Sequence, residues 1–127
     1  ELSRLINTPV KDIQNDRIKY AKLTAEKFGC CVVLKGNQTV VCTKDLEVFV
    51  NTSGNSALAK AGSGDVLTGI ISGLMAQGVS VENAAKLGVY LHGLCGELAS
   101  QDLSLYSVLA TDQIDYIPQA IKKILEA

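Results

Sequence analysis

Between Asn51 and Gly69 the chain reads NTSGNSALAKAGSGDVLTG. Asn51-Thr52-Ser53-Gly54-Asn55-Ser56 is a run of small or turn-forming residues, which predicts a loop leaving a sheet for a helix. From Asp65 onward Val66, Leu67, Ile70, Ile71, Leu74 and Met75 recur at helical spacing, and Gly78 closes the run. Between loop and helix, Ala61-Gly62-Ser63-Gly64-Asp65 sets two glycines around a small residue, with an acid in the first turn. Glycine allows close backbone approach to a ligand, the first N–H groups of a helix lack internal acceptors, and the helix dipole favours negative charge there. The segment therefore predicts an anion site, suited to the charge that develops on a transferring phosphoryl group. Its spacing matches neither the P-loop nor the G-x-G-x-x-G dinucleotide turn. Beside such a site Asp65 could take the proton of an attacking substrate hydroxyl, although an acid in a first helical turn is also an ordinary complement to the dipole.

Working upstream, Cys30-Cys31-Val32-Val33-Leu34 is a short apolar run, expected to be a strand buried on both faces in a parallel sheet with helices on either side. Lys35 follows that strand, where ligands collect in open α/β sheets, a location that favours a binding role over a merely solvated strand end. Thr39 to Thr43 and Leu46 to Val50, separated by Lys44-Asp45, read as a β-hairpin. Asp12 to Phe28 reads as one helix stopped by Gly29. Downstream, Ser80 opens a long core-facing helix striped by Leu87, Leu91, Leu94 and Leu98. A final helix is expected with Thr111 or Asp112 as N-cap, Pro118 in its early turns, and Ile114, Ile117, Ile121, Ile124 and Leu125 along its stripe. The order is strands first, then three helices, best fitted by a three-layer α/β/α sandwich. One buried strand plus one hairpin is thin for so much helix, so the chain is expected to be part of a larger domain.

At 127 residues the chain is one domain's worth, expected to form a single core. With 47% hydrophobic against 20% charged residues, disorder is excluded. Twelve basic and 13 acidic side chains give a net charge of -1, which offers no field for a nucleic-acid backbone. No apolar run approaches the roughly 18 residues of a membrane span and no secretory leader is evident, so a cytoplasmic location is expected. The four cysteines, Cys30, Cys31, Cys42 and Cys95, lack C-x-x-C spacing and are expected to be buried free thiols. His92, the one histidine, lies on a leucine-striped helix and reads as a packed core residue rather than a ligand.

Three segments together resemble the ADP/ATP-dependent NAD(P)H-hydrate dehydratase family of the ribokinase-like superfamily. They are Leu34-Lys35-Gly36-Asn37-Gln38-Thr39, the stretch from Asn51 to Gly69, and Tyr90-Leu91-His92-Gly93, which occur in the family's order. Glu1-Leu2-Ser3-Arg4-Leu5 is similar to the end of a further family segment, so the likeness covers nearly the whole chain. The resemblance implies repair of hydrated NADH or NADPH, with a nucleotide phosphorylating the ring hydroxyl and loss of phosphate restoring the double bond. It makes Asp65 the catalytic base in contact with substrate, and Ala61, Gly62, Ser63 and Gly64 the anion hole. Lys35, Gly36, Asn37, Gln38 and Thr39 would lie against the nucleotide's phosphates or ribose. Asn55, Ser56, Ala57, Leu58, Ala59 and Lys60 would wrap the nucleotide, which is ADP or ATP. Mg²⁺ would bridge the phosphates without a protein cage, so no metal-ligand motif is expected.

The family's substrate side is expected to come from residues preceding Glu1, supplied by a longer form or a partner chain, and a homo-oligomer is the other expected assembly. Two rival readings use the same anion hole. One is a kinase for a small hydroxylated metabolite such as a thiazole or a sugar, and the other is a nucleotide-binding half-domain without turnover.

Overall fold

The computed structural model describes all residues, Glu1–Ala127. The chain divides into two compact units, Glu1–Val50 and Asn51–Ala127, each with its own buried clusters.

In the first unit, helices α1 (Leu2–Ile6), α2 (Val10–Asn15) and α3 (Arg17–Phe28) precede strands β1 (Val32–Leu34), β2 (Val40–Cys42) and β3 (Val48–Val50). The strands form an antiparallel sheet in the order β1-β2-β3, with Val32 opposite Cys42 and Val40 opposite Val50. All three residues of β2 are buried, whereas β1 and β3 are half-buried. Ala21 and Ala25, one turn apart on α3, cluster with Val40 and Cys42 and with the half-buried Val32, Leu34, Val48 and Val50. Small side chains at i and i+4 let the helix lie close to the sheet. Full burial of a valine there contributes about 1.5–3 kcal/mol.

Several expectations are corrected here. The expected helix from Asp12 to Phe28 is two helices, because Asp16 leaves helical geometry (φ -149°, ψ 72°) and accepts the Lys19 N–H as N-cap of α3. The run from Cys30 to Leu34 is not a strand buried on both faces of a parallel sheet. Gly29 ends α3 in the left-handed conformation and the Cys30 N–H returns to the Ala25 carbonyl, so Cys30 belongs to the helix exit. The remaining strand, β1, is a half-buried antiparallel edge, and the central buried strand is β2. The hairpin is present, but its turn is wider than Lys44-Asp45. Thr43 N–H donates to the Glu47 carbonyl, Leu46 N–H returns to the Thr43 carbonyl, and Leu46 sits at φ 67°.

In the second unit, residues 51–55 form the expected loop and a single 3-10 turn follows at Ser56–Leu58. Helices α4 (Ser63–Ala76), α5 (Val81–Ser107, kinked at Ser104), α6 (Ala110–Asp115) and α7 (Ile117–Leu125) complete it. Ile70, Leu91, Leu94, Cys95 and Ala120 form one core, flanked by Val66, Leu74, Leu98, Tyr116, Ile117 and Ile124. Ala57, Ala99 and Val108 form a second. Ser80 caps α5 by accepting the Asn83 N–H, as its sequence predicts.

The expected single C-terminal helix is two, with Tyr116 between them and Pro118 at the second position of α7. The N-cap is Leu109, not Thr111 or Asp112; the Asp112 carboxylate instead reaches back to the Leu109 N–H at 2.7 Å. Four helices therefore end the chain where three were expected, and three more precede the strands. Leu87, Ile114, Ile121 and Leu125 of the expected apolar stripes are exposed. None of the four cysteines is in a disulfide, yet Cys30 is exposed and Cys31 half-buried, so only Cys42 and Cys95 are the buried thiols expected.

Candidate functional site

The second unit carries the glycine-flanked helix start. Gly62 is the N-cap of α4 at φ 86°, a left-handed conformation that a side chain would strain, and an added Cβ would sit 3.2 Å from the Ala110 methyl. From Gly62 the chain enters α4 at Ser63, two residues before the expected start at Asp65. Ser63 N–H is satisfied by the Lys60 carbonyl and Asp65 N–H by the Gly62 carbonyl, both at 3.1 Å. The donor capacity of the turn is thus more restricted than four adjacent amides would suggest. Asp65 lies in the first turn and is exposed.

Ser63 itself is buried, and its hydroxyl points inward. It lies 3.1 Å from Gln113 Oε1 and 3.2 Å from His92 Nε2, and His92 Nε2 is 2.8 Å from Gln113 Oε1. With Nε2 protonated, His92 donates to Gln113 Oε1, which also accepts the Ser63 hydroxyl. Burial holds the His92 pKa below its ordinary 6.5, opposed by the hydrogen bond to Gln113, so the imidazole is neutral at pH 7. Gln113 Nε2 is buried without a partner. His92 is the packed, hydrogen-bonded residue its surroundings predict. Its partner, however, is the central residue of the predicted anion hole, a connection that sequence spacing alone does not reveal. Gln113, 50 residues from Ser63, was not singled out by any motif.

The loop ahead of α4 is fastened to α5. Asn51 Nδ2 donates to the carbonyls of Ser53 (3.1 Å) and Val89 (3.2 Å). Ser53 Oγ lies 2.8 Å from the Tyr90 carbonyl, and Gly54 N–H donates to Glu97 Oε1 at 2.7 Å. Asn55 caps the 3-10 turn by accepting the Ala57 N–H at 3.0 Å and donates to Ser100 Oγ at 2.9 Å. Ser56, Ala59 and Ala61 are exposed, Ala57 is buried, Leu58 is half-buried, and Lys60 Nζ donates to the Tyr106 carbonyl at 3.0 Å.

The first unit carries residues 35–39, between β1 and β2. Lys35, Gly36, Asn37 and Gln38 are exposed and Thr39 is half-buried. Lys35 Nζ is 3.6 Å from Glu1 Oε2, with both side chains well exposed, a pair of small energetic weight. Thr39 Oγ1 donates to the Gly36 carbonyl at 3.2 Å. Arg17, absent from the sequence reading, holds this turn. Its Nη1 donates to the carbonyls of Asn37 (2.6 Å) and Gln38 (3.2 Å), and its Nη2 to those of Leu34 (2.8 Å) and Lys35 (3.1 Å). Gly36 has φ 150°, and an added Cβ would lie 2.8 Å from Arg17 Nη2.

No group of three or more His, Cys, Asp and Glu side chains is arranged to hold a metal ion, and no helix is long and apolar enough to cross a membrane.

The family model described as NAD(P)H-hydrate dehydratase matches residues 1–119. The chain is 40% identical over 123 residues to the ADP-dependent (S)-NAD(P)H-hydrate dehydratase of Bacillus subtilis, covering 97% of this chain and 45% of that protein. It is 44% identical over 114 residues to the enzyme of the same description from Neisseria meningitidis, covering 90% of this chain and 38% of that protein. It is 40% identical over 126 residues to the bifunctional NAD(P)H-hydrate repair enzyme of Moorella thermoacetica, covering 99% of this chain and 24% of that protein. The fold matches the crystal structure of the Bacillus subtilis ADP/ATP-dependent NAD(P)H-hydrate dehydratase co-crystallised with ATP/Mg²⁺, at a TM-score of 0.91 and 40% identity. That match covers 95% of this chain and 44% of the other. The chain thus spans between a quarter and somewhat under half of these relatives' length, and its sheet and helices are part of an α/β domain. With the family model matched along residues 1–119 and the fold matched along nearly the whole chain, this chain belongs to the NAD(P)H-hydrate dehydratase family.

Proposed function

We propose that the protein bearing this chain repairs hydrated NADH and NADPH by a nucleotide-driven dehydration. The observation that carries the reading is the start of α4. There the Ser63 hydroxyl is drawn inward to His92 and Gln113, while Asp65 two residues on is left exposed. In the reaction the ring hydroxyl oxygen attacks the terminal phosphorus of ADP or ATP, and its proton passes to the Asp65 carboxylate. The bond from phosphorus to the leaving phosphate breaks in the same displacement. Departure of the new phosphate group with its C–O bonding pair, and loss of a ring proton, restores the reduced nicotinamide. Amides of Ala61, Gly62, Ser63 and Gly64 are the proposed anion hole, with Ser63 the least available because its N–H already has the Lys60 carbonyl. Asn55, Ser56, Ala57, Leu58, Ala59 and Lys60 in the second unit, and Lys35, Gly36, Asn37, Gln38 and Thr39 in the first, are the proposed nucleotide contacts.

The donor set at this helix start, backbone amides and one exposed carboxylate, fits an Mg²⁺ ion carried by nucleotide phosphates rather than by a protein cage. When bound, that ion would neutralise phosphate charge. A cytoplasmic location is in keeping with four cysteines that form no disulfide. Assembly, as a homo-oligomer or with a chain completing the domain, is read by sedimentation of the protein.

The deciding experiment incubates hydrated NADH with the protein at its full natural length, Mg²⁺, and ADP or ATP in turn. The expected result is recovery of the reduced-nicotinamide absorbance, with the faster nucleotide identifying the donor. A stable phosphorylated thiazole or sugar, with no recovery of that absorbance, would replace this reading with the small-molecule kinase.

A further inference from the structure

Arg17 directs its guanidinium at four backbone carbonyls, those of Leu34, Lys35, Asn37 and Gln38, at 2.6–3.2 Å. A planar guanidinium has five N–H donors in a fixed fork, and this one spends four contacts on a single turn of chain. The consequence follows from the trans peptide. In each planar unit the carbonyl of one residue and the N–H of the next point in opposite directions. With the Leu34, Lys35, Asn37 and Gln38 carbonyls turned toward Arg17, the N–H groups of Lys35, Gly36, Gln38 and Thr39 are turned away from it.

The remaining carbonyl of the turn, that of Gly36, is also committed, to Thr39 Oγ1. Residues 35–39 thus have their acceptors gathered on one side and amide donors presented on the other. These N–H groups have no acceptor within the turn, and on an exposed segment they are open to an anion. The positive φ of Gly36 (150°) and Gln38 (57°) lets the turn wrap the guanidinium, and a Cβ on Gly36 would have to displace Arg17 Nη2.

We infer that Arg17 is a positioning residue for nucleotide phosphate: it touches no ligand itself but fixes residues 35–39 with their amides toward an anion. The inference rests on the proposed role of those residues in binding nucleotide. A lysine at position 17 offers one ammonium and cannot reach four carbonyls in a plane, so conservation of charge is not conservation of function here.

The test uses Arg17→Ala and Arg17→Lys in the protein at its full natural length, with ADP and ATP binding measured by titration calorimetry and turnover measured at saturating nucleotide. Both variants should bind nucleotide about tenfold or more weakly, the loss expected from one hydrogen bond to a charged group. Turnover at saturation should be nearly unchanged. Guanidinium ion, added to Arg17→Ala far below denaturing concentration, should restore binding, and amide exchange at residues 36–39 should speed up in both variants. Unchanged affinity, or weakened affinity that guanidinium does not restore and that tracks a fall in unfolding midpoint, overturns the inference. Failure of the unsubstituted protein to bind either nucleotide overturns the functional reading and this inference with it. Normal binding there with normal binding in the variants overturns the inference alone.

Discussion

Gly93 on α5 lies against Ser53 so closely that a methyl group on Gly93 would stand 2.7 Å from the Ser53 carbonyl carbon. Backbone is the obstacle, so no rotamer change relieves it. The glycine that follows His92 is therefore what lets the loop of residues 51–55 settle on the helix.

Gly93→Ala tests that fit with two effects of opposite sign. Alanine in a helix gains about 1 kcal/mol over glycine from propensity, whereas overpacking against rigid neighbours costs about 1–3 kcal/mol. Because the clash is with backbone, packing should win, lowering the urea midpoint and weakening nucleotide binding. A variant at least as stable as the parent, binding equally well, would show that the loop can shift at no cost.

Asp65→Asn should leave nucleotide affinity nearly intact, since the side chain is exposed and makes no hydrogen bond that holds α4 together. Loss of a general base should cost about 10²- to 10⁴-fold in kcat. Single-turnover rates with calorimetric nucleotide affinities would separate the two quantities. Unchanged turnover would leave Asp65 as no more than a complement to the helix dipole.

His92 gives stability a definite pH dependence. Its folded pKa lies below the ordinary 6.5 because burial disfavours the charged ring. The unfolded chain therefore binds more protons in this range, and the contribution is fully present above about pH 6.5 and is lost as pH falls toward the folded pKa. Unfolding free energies at about pH 8 and about pH 5.5 should differ more for the parent than for His92→Asn. An equal difference in both proteins would assign the acid sensitivity to other groups.

The four thiols should react in an order set by burial. Burial raises the pKa of Cys42 and pushes that of Cys95 up to about 11, so neither supplies thiolate at neutral pH. Cys30 is exposed at the exit of α3. Alkylation followed by peptide mass mapping should find Cys30 labelled first, with Cys42 and Cys95 labelled only at the rate of unfolding. Early labelling of Cys95 would mean that α5 opens locally.

Much of this was legible in the sequence. The α/β class and the ribokinase-like likeness came from the glycine-flanked segment and its neighbours, and the fold match at a TM-score of 0.91 agrees with them. Periodicity placed α4 and α5 because both alternate apolar and polar residues over several turns. It failed at Asp16 and Tyr116, where single residues break a continuous apolar stripe and only hydrogen bonding to a neighbour marks the boundary. Cys30 to Leu34 misled because an apolar run reads alike in a central strand and in a helix exit leading to an edge. Arg17 and Gln113 were invisible for another reason. Their partners are 17–21 and 50 residues away, and nothing in local composition records a contact made across the fold.

Arg17 occupies the first position of α3, held there by the Asp16 carboxylate accepting the Lys19 N–H at 3.1 Å. Helices open from their ends, and terminal turns are among the first parts of a protein to exchange their amides. Opening of that one turn would withdraw all four donors from residues 34–38 at once. The lifetime of the shaped turn is then governed by the fraying of a helix end, so two segments far apart in sequence behave as one kinetic unit. Weakening the Asp16 cap would therefore loosen the turn at residues 34–38 along with the helix end.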